Sequence, residues 1–477
     1  MARVTIRLEP LGETVSAEPG APLRDVLFSY GVEFPCGGAS NCKRCRVRVI
    51  AGGVGDTASV GILTPREYDE GWRLACRAHV SGNVTLEVGQ WESAILSDES
   101  EFHFTPRPGR GIAIDLGTTT LVAQLVDLQT GFVLGVRTAL NPQARHGADV
   151  MTRVQHALQA AGREELRELI RNEIARMVAD FGPAEQLVIV GNTAMHHLFC
   201  GFPVDPLAHA PFEPIHIEGC GCFLPNLGGF VGSDILAGIL ATGMHESEHL
   251  VALIDLGTNG EIVVGNREGL LCTSTAVGPA FEGGRISCGM RASTGAIAAV
   301  ERGDEGAVRC RVLGNVPARG VCGSGLVDAI ACGLESGKIQ ANGRMTSPLT
   351  LTDGIALTQQ DVREVQLAKG AIAGGMRVLL RRLGVKAEDV RTVYLAGAFG
   401  NYINVRSARS IGLLEFSEDV IESAGNTALL GAKRALFEAN LEFGSLRAMV
   451  EHVALGADPE FQEAYAEAMR FPDCRKN

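Results

Sequence analysis

The sequence predicts a multidomain chain of mixed α/β and α+β class, with a small cysteine-bearing domain ahead of a larger nucleotide-binding body. Three observations predict it. Cys36, Cys42 and Cys45 crowd into one loop, PCGGASNCKRC, and Cys76 follows downstream. IAIDLGTTT (residues 112–120) and ALIDLGTNGE (residues 252–261) each read as an apolar strand broken by an Asp-x-Gly-Thr turn. The two copies stand about one domain length apart, an internal-repeat signal for a split nucleotide-binding fold.

The chain has 477 residues, room for about three domains of ordinary size. Hydrophobic residues make up 46% and charged residues 21%, enough for a substantial core. A net charge of −12 argues against indiscriminate nucleic-acid binding. Thirteen cysteines in a chain this long do not form a small disulfide scaffold. The opening MARVTIRLEPLGETV lacks the apolar core of a secretory signal. No run reaches the roughly 18 apolar residues of a membrane span. A cytoplasmic location, where thiols stay reduced, is the expectation.

Residues 1–93 read as a ferredoxin-like β-grasp domain. VTIRL at 4–8 alternates as a strand, and a second strand is expected at 14–17. A short helix is expected at 23–30 after Pro22, then strands at 46–50 and 83–88 around the cysteine loop. Four thiolates at this spacing suit a [2Fe–2S] cluster, thiolate sulfur being a soft ligand for tetrahedral iron. Gly37 and Gly38 let the backbone turn closely around sulfide. The alternatives are a zinc site or buried free cysteines. Only Cys42 and Cys45 form a CxxC pair, and C-x5-C is one residue longer than the plant-type spacing.

A linker is expected at 94–109, where TPRPGR is unsuited to regular structure. The first strand then ends at Asp115, and Gly117, Thr118 and Thr119 form a turn whose N–H and hydroxyl groups suit phosphate oxygens. Asp115 suits Mg²⁺ or its waters. In the second copy Asp255 takes that place, with Gly257, Thr258 and Asn259 in the turn and Glu261 opening the return strand. A single such turn is an ordinary hairpin; two copies argue for an ATP–Mg²⁺ cleft. Neither is a Walker A sequence.

YLAGAFGN (residues 394–401) delivers another glycine-rich turn, where Gly397 and Gly400 would allow close approach of adenine or ribose. The alternative is a plain strand-to-helix connection. The preceding helix is expected at 367–383. Gly191-Asn192-Thr193 is a further turn suited to a phosphate or water contact. Asp149 is either a cleft carboxylate or a helix N-cap. Cys220 and Cys222 read as a thiol pair, an auxiliary metal site or a tight turn, and His196-His197 as core residues rather than ligands. Cys322 and Ser324 mimic a nucleophile turn without a base, and Gly323 and Gly325 suit close helix packing or a phosphate contact. Cys474 has no readable role. A helix is expected at 426–442, and the tail from 451 is expected to pack back on the first subdomain.

The conjunction of these motifs resembles the ATP-dependent reductive activators of corrinoid-dependent methyltransferases, over nearly the whole chain. NPQ at 141–143, GADVMTR at 147–153, VGNTAMH at 190–196 and VCGSG at 321–325 strengthen the resemblance. It implies a [2Fe–2S] domain followed by a two-subdomain actin-like (ribonuclease H-like) ATPase of the actin, sugar-kinase and Hsp70 superfamily. Subdomain I is then expected at 110–248, subdomain II at 249–415, and a C-terminal helical segment packing on the ATPase at 416–477. Cys36, Cys42, Cys45 and Cys76 would hold the cluster, and Asp115 and Asp255 would position Mg²⁺ and water. Thr118, Thr119, Thr258 and Asn259 would meet phosphates, and Gly397 and Gly400 the adenosine side. The implied activity is one-electron reduction of inactive Co(II) corrinoid to Co(I) on a corrinoid protein. A reduced ferredoxin or flavodoxin-like donor is the implied upstream partner, and both monomer and homodimer fit an actin-like ATPase. Ser40 and Lys43 stand where glycine is common, and better-known members carry an extra region before the ATPase that is missing here. Other readings are an electron activator for another low-potential acceptor, an ATP-regulated Fe–S sensor, or a small-molecule kinase.

Overall fold

The computed structural model describes residues 3–9, 13–27, 45–56, 63, 65–88, 104–147, 149–209, 212–214, 218–303, 308–438, 443–456 and 458–473. Cys36, Gly37, Gly38, Ser40, Cys42, Lys43, Cys474 and the first part of the expected linker lie outside the described residues. The chain divides into two compact units, residues 1–93 with 140–173, and residues 94–139 with 174–477.

In the first unit, five strands order as Glu13–Ala17, Val4–Glu9, Ala78–Val88, Arg46–Asp56 and Trp72–Leu74. Alternation decides the faces: Ile6, Leu8, Val47, Val84, Leu86 and Val88 point into one core, with Leu23 and Leu27 of the helix Leu23–Leu27 packed on it. The first and last strands pair in parallel, Ile6 opposite Val84, which is the β-grasp connection. The strands at 46 and 78 run longer than their alternation suggested, because the ladder shifts register near Gly52 instead of ending. Gly52 has φ +79°, and a Cβ there would lie 2.2 Å from the Asn83 carbonyl oxygen. Residues 140–173 belong with this unit because Leu140 and Ala144 pack against its core.

The second unit holds two related sheets. The first orders as Val133–Leu140, Thr120–Asp127, Arg110–Leu116 and Gln186–Gly191. The second orders as Ile421–Gly425, Thr392–Ala396, Val251–Leu256, Gly260–Asn266, Gly269–Thr275 and Val450–His452. The repeat seen in the sequence recurs in the register. Asp115 pairs across its hairpin with Val122 and in parallel with Val190; Asp255 pairs with Glu261 and in parallel with Ala396. The expected linker is partly fixed: Arg107 N–H donates to the Leu128 carbonyl at 3.0 Å, and Phe104 packs on Phe437 with ring centroids 4.4 Å apart.

One apolar core joins the two sheets. It contains Ala113, Val122 and Val190 from the first, Leu253, Val263 and Ala396 from the second, and the helices Ser233–Thr242 and Thr427–Ala435 between them. The two helices touch backbone to backbone: a Cβ on Gly431 would lie 1.9 Å from the Ala237 carbonyl oxygen. The long helix Gln359–Leu383 begins earlier than its periodicity indicated, at the capping box of Thr358 and Asp361. The tail helix Pro459–Ala468 packs on that helix, not on the first subdomain; Gly374 leaves its Cβ position 3.1 Å from the Tyr465 nitrogen. The buried Lys369 ammonium locks the tail by donating to the carbonyls of Ala468, Arg470 (2.8 Å) and Gly412 (3.5 Å). Among the described residues, no helix is long and apolar enough to cross a membrane.

Two outcomes follow from this packing. Gly431→Ala forces the helix pair apart and is expected to cost about 1–3 kcal/mol; thermal unfolding checks the cost, and nucleotide hydrolysis should fall with it because both hairpins rest on that pair. Burial pushes the Lys369 pKa down to about 8, against the smaller opposing pull of Glu415. An unfolded lysine titrates near about 10.4. Between those values the unfolded chain binds more protons at this side chain, so its contribution to stability rises with pH. The unfolding midpoint of the parent protein should therefore rise relative to Lys369→Met across that window, and an unchanged difference would refute the assignment.

Candidate nucleotide and electron-transfer sites

The strand Arg110–Leu116 is apolar until Asp115, where the chain turns and Gly117 N–H closes on the Thr120 carbonyl at 3.1 Å. A Cβ on Gly117 would sit 2.5 Å from that oxygen, so the tight turn requires glycine. The strand Val251–Leu256 repeats this at Asp255, with Gly257 N–H closing on the Asn259 carbonyl at 3.0 Å. Thr118, Thr119, Thr258 and Asn259 sit half-buried on these turns.

Two helix N-termini reach the first turn, and a third bonds the neighbouring strand end. Asn192 caps the helix Thr193–Cys200 with Oδ1 and donates through Nδ2 to Thr118 Oγ1 at 2.8 Å. Asn426 caps Thr427–Ala435 and donates to Asp115 Oδ2 at 2.9 Å. Ser233 bonds both backbone groups of Gly191, at 3.1 and 3.2 Å, which places the start of Ser233–Thr242 and its Asp234 beside them. A Cβ on Gly232 would meet the Gly191 oxygen at 2.2 Å. On the second turn, the Thr258 hydroxyl donates to Glu282 Oε1 at 2.8 Å, so one expected phosphate ligand is held by an acid.

Four carboxylates thus share one cleft: Asp115, Asp234, Asp255 and Glu261. The aspartates are half-buried and Glu261 buried. Burial is the main cause pushing Asp115 up to about 6, with the Asn426 hydrogen bond pulling the other way. Burial, then repulsion from Asp115, raises Asp255 to about 7. Burial, then Asp255 and Asp115, raises Asp234 to about 8. Glu261 is raised well above the usual range, first by burial and then by Asp234 and Asp255. Asp255 and Glu261 are directly opposed on one hairpin face, an arrangement of like charges that is unfavourable unless a cation or donors compensate. The all-oxygen donor set fits a hard divalent cation.

Gly397, in the turn after strand Thr392–Ala396, has φ +81°, and a Cβ there would lie 2.6 Å from Asp255 Oδ1. The carboxylate itself selects glycine at this position. Gly400 is buried against Leu395, its Cβ position 3.4 Å from that residue's carbonyl carbon, an ordinary packing distance. Asp234 and Asn426 carry no motif that marks them as site residues. Gly-Ser-Asp and Gly-Asn-Thr before apolar runs are N-cap signatures, but nothing local says that a cap aims at a distant strand.

The other motifs resolve into packing. Asp149 caps the helix Val150–Ala157, accepting from Thr152 N–H at 2.8 Å. Cys220 and Phe223 exchange backbone hydrogen bonds at 3.0 Å around Gly221, a tight turn. His196 and His197 are fully buried, His196 against Asn226 at 2.6 Å. Ser324 donates to the Ala298 carbonyl at 2.8 Å, and a Cβ on Gly323 would meet the Phe281 carbonyl oxygen at 2.0 Å.

For the electron carrier, Cys45 and Cys76 are described. Cys45 is buried and Cys76 half-buried, at the ends of the paired strands Arg46–Asp56 and Trp72–Leu74. Ala75 N–H donates to the Cys45 carbonyl at 3.0 Å and ties the two cysteine segments together. This pair fits half of a four-thiolate set; Cys36 and Cys42 lie outside the described residues.

Asn426 links a helix cap to Asp115, so Asn426→Ala should act twice. It is expected to lower stability by about 1 kcal/mol. It should also weaken the Mg²⁺ dependence or rate of ATP hydrolysis by roughly 10–100-fold, as loss of a group orienting a metal-binding carboxylate does. Phosphate release over a Mg²⁺ titration, with thermal unfolding in parallel, checks both.

Comparison with known proteins places these sites in a family. The family described as "C-terminal domain of RACo the ASKHA domain" matches residues 249–477, "RACo middle region" matches 110–247, and "2Fe-2S iron-sulfur cluster binding domain" matches 6–81. The chain is 36% identical over 452 residues to the corrinoid activation enzyme RamQ of Eubacterium limosum, spanning 83% of this chain and 74% of that protein. It is 29% identical over 381 residues to the Co(II) methylated amine-specific corrinoid protein reductase of Methanosarcina barkeri, spanning 69% and 70%. The solved structure of a reductive activator for corrinoid,iron-sulfur protein aligns over 98% of both chains, with a TM-score of 0.67 and 26% identity. The chain belongs to the RACo-like corrinoid activation family, in which an iron–sulfur ferredoxin-like domain is joined to an ATP-binding ASKHA domain.

Proposed function

We propose that this protein couples ATP hydrolysis to the one-electron reduction of inactive Co(II) corrinoid to Co(I) on a corrinoid protein of a methyltransferase or O-demethylase system. One observation carries the reading: a thiolate-bearing ferredoxin sheet and a cleft of four carboxylates occur in one chain of a corrinoid activation family. The identity to RamQ and the reductive-activator fold support it.

A [2Fe–2S] cluster on Cys36, Cys42, Cys45 and Cys76 would supply the single electron, replenished by a reduced ferredoxin or flavodoxin-like donor. Mg²⁺ held by Asp115 and Asp255 would neutralise phosphate charge and order the attacking water. Asn426 orients Asp115 for that task, and Asn192 orients the Thr118 hydroxyl. The Gly117 and Gly257 turns bring backbone close to phosphate oxygens, with Thr119 and Asn259 beside them. Thr258 exchanges Glu282 for phosphate when nucleotide enters. Gly397 and Gly400 border the adenosine side, Gly397 also making room for Asp255. Each hairpin would contribute a carboxylate to the cation that neutralises the phosphates, so Mg–nucleotide would favour closure of the cleft and hydrolysis would release it.

We assign the ferredoxin-like domain to 1–93, a linker to 94–109, ATPase subdomains to 110–248 and 249–415, and a C-terminal helical segment to 416–477. A reducing compartment, the cytoplasm, suits the 13 cysteines.

The test is anaerobic spectroscopy of a purified Co(II) corrinoid protein mixed with this protein, an electron donor and Mg–ATP. Co(I) absorption should grow only when ATP and an intact cluster are both present, and should vanish with Asp255→Asn. A reducible cluster and active ATPase that yield no Co(I) with several corrinoid partners would move the function to another acceptor or to sensing.

A further inference from the structure

Outside both sites, residues 140–173 gather two imidazoles and a carboxylate that neither proposed reaction uses. His146 ends the 3-10 turn Pro142–His146, His156 lies on the helix Val150–Ala157, and Glu165 lies near the start of the helix Ala160–Ala179. His146 Nε2 is 3.3 Å from Glu165 Oε1, and His156 Nε2 is 3.1 Å from Glu165 Oε2. The rings stack at 4.4 Å between centroids, inclined by 27°. One ligand atom from each residue lies within 4.8 Å of the others.

Buried groups hold this geometry. Asn141 caps the turn through Gln143 N–H at 3.0 Å. The fully buried Gln143 donates to the Leu166 carbonyl at 2.9 Å, one residue from Glu165. The fully buried Arg153 donates to the Gly147 carbonyl at 2.8 Å, joining the turn to the helix that carries His156. Gly162 clears the His156 ring: a Cβ there would lie 3.0 Å from its Nε2 and 2.3 Å from its carbonyl oxygen. Glycine near the start of a helix is costly, and here it admits an imidazole.

We propose that His146, His156 and Glu165 form a transition-metal site of the Zn²⁺ class. Imidazole nitrogen with one carboxylate selects a borderline cation over Mg²⁺ or Ca²⁺. Zinc bonds of about 2.0–2.2 Å to nitrogen and oxygen in a tetrahedron separate adjacent ligand atoms by roughly 3.3 Å; each imidazole nitrogen lies close to that distance from a different oxygen of Glu165, and a rotation of this half-exposed carboxylate presents one oxygen to both. Side-chain exposures of 13%, 35% and 51% leave one side open for a water in the fourth position. The ion ties three successive elements of this segment together. Being redox-inert, it stands apart from electron transfer.

The experiment uses the full-length protein with its cluster, kept anaerobic and stripped of loosely held metal by a chelating resin. Zn²⁺ is titrated against a chromophoric chelator, with Co²⁺ as a spectroscopic probe. The parent protein should bind one equivalent that His156→Gln loses or binds at least about 100-fold more weakly, while cluster absorption and circular dichroism are unchanged. Zn²⁺ should raise the unfolding midpoint of the parent and not of the variant. Glu165→Gln, at a half-exposed side chain, is the second variant should His156→Gln fail to fold. Comparison with the parent cancels binding by thiols such as Cys220 and Cys222. Equal stoichiometry and affinity in parent and variants, or no competition by the parent, overturns the site and leaves a hydrogen-bonded triad.

Discussion

Holding like charges together is the constraint on which the larger unit depends. Asp115, Asp234, Asp255 and Glu261 repel one another in a partly desolvated cleft. No local propensity brings them there; packing does. The strands bearing Asp115 and Asp255 share one apolar core through the helices Ser233–Thr242 and Thr427–Ala435, in contact at Gly431 and Ala237. That burial offsets the repulsion and holds four carboxylates together in one acidic cleft.

The two hairpins are duplicates with unequal chemistry. Opposite Asp115 stands Val122, and the carboxylate receives a hydrogen bond from Asn426. Opposite Asp255 stands Glu261, and its other neighbour in register is Ala396, next to the glycine that admits its carboxylate. One acid is therefore eased toward its ionised form by a donor, while the other faces a second acid. A repeated fold has been made into two different halves of one site by substitutions at single register positions.

The smaller unit follows a different logic. Its strands alternate around an apolar core, and the hydrogen bond from Ala75 N–H to the Cys45 carbonyl extends the ladder of Arg46–Asp56 and Trp72–Leu74 to join cysteine segments that are distant in sequence. Segment 140–173 belongs to the same unit although the chain enters the nucleotide-binding sheet between them. Its His–Glu–His cluster is assembled from consecutive elements, with capping and buried polar groups setting the spacing. Gln143 and Arg153, both fully buried, tie these elements to one another through backbone carbonyls.

Much of the architecture was legible in the residues. Alternation in VTIRL and the two Asp-x-Gly-Thr turns each depend on neighbours within a few positions, and such patterns survive into the fold because side-chain direction repeats with period two. The sequence alone determined the β-grasp strands, the paired hairpins and the identity of Asp115 and Asp255 as strand-end acids. Tertiary structure decided what meets them. Asn426 reaches Asp115 across most of the chain, Asp234 joins from a helix start, Gly397 makes room for Asp255, and the tail helix settles on Gln359–Leu383. Those choices belong to long-range packing and desolvation, where a residue's role is set by atoms that its sequence neighbours do not supply.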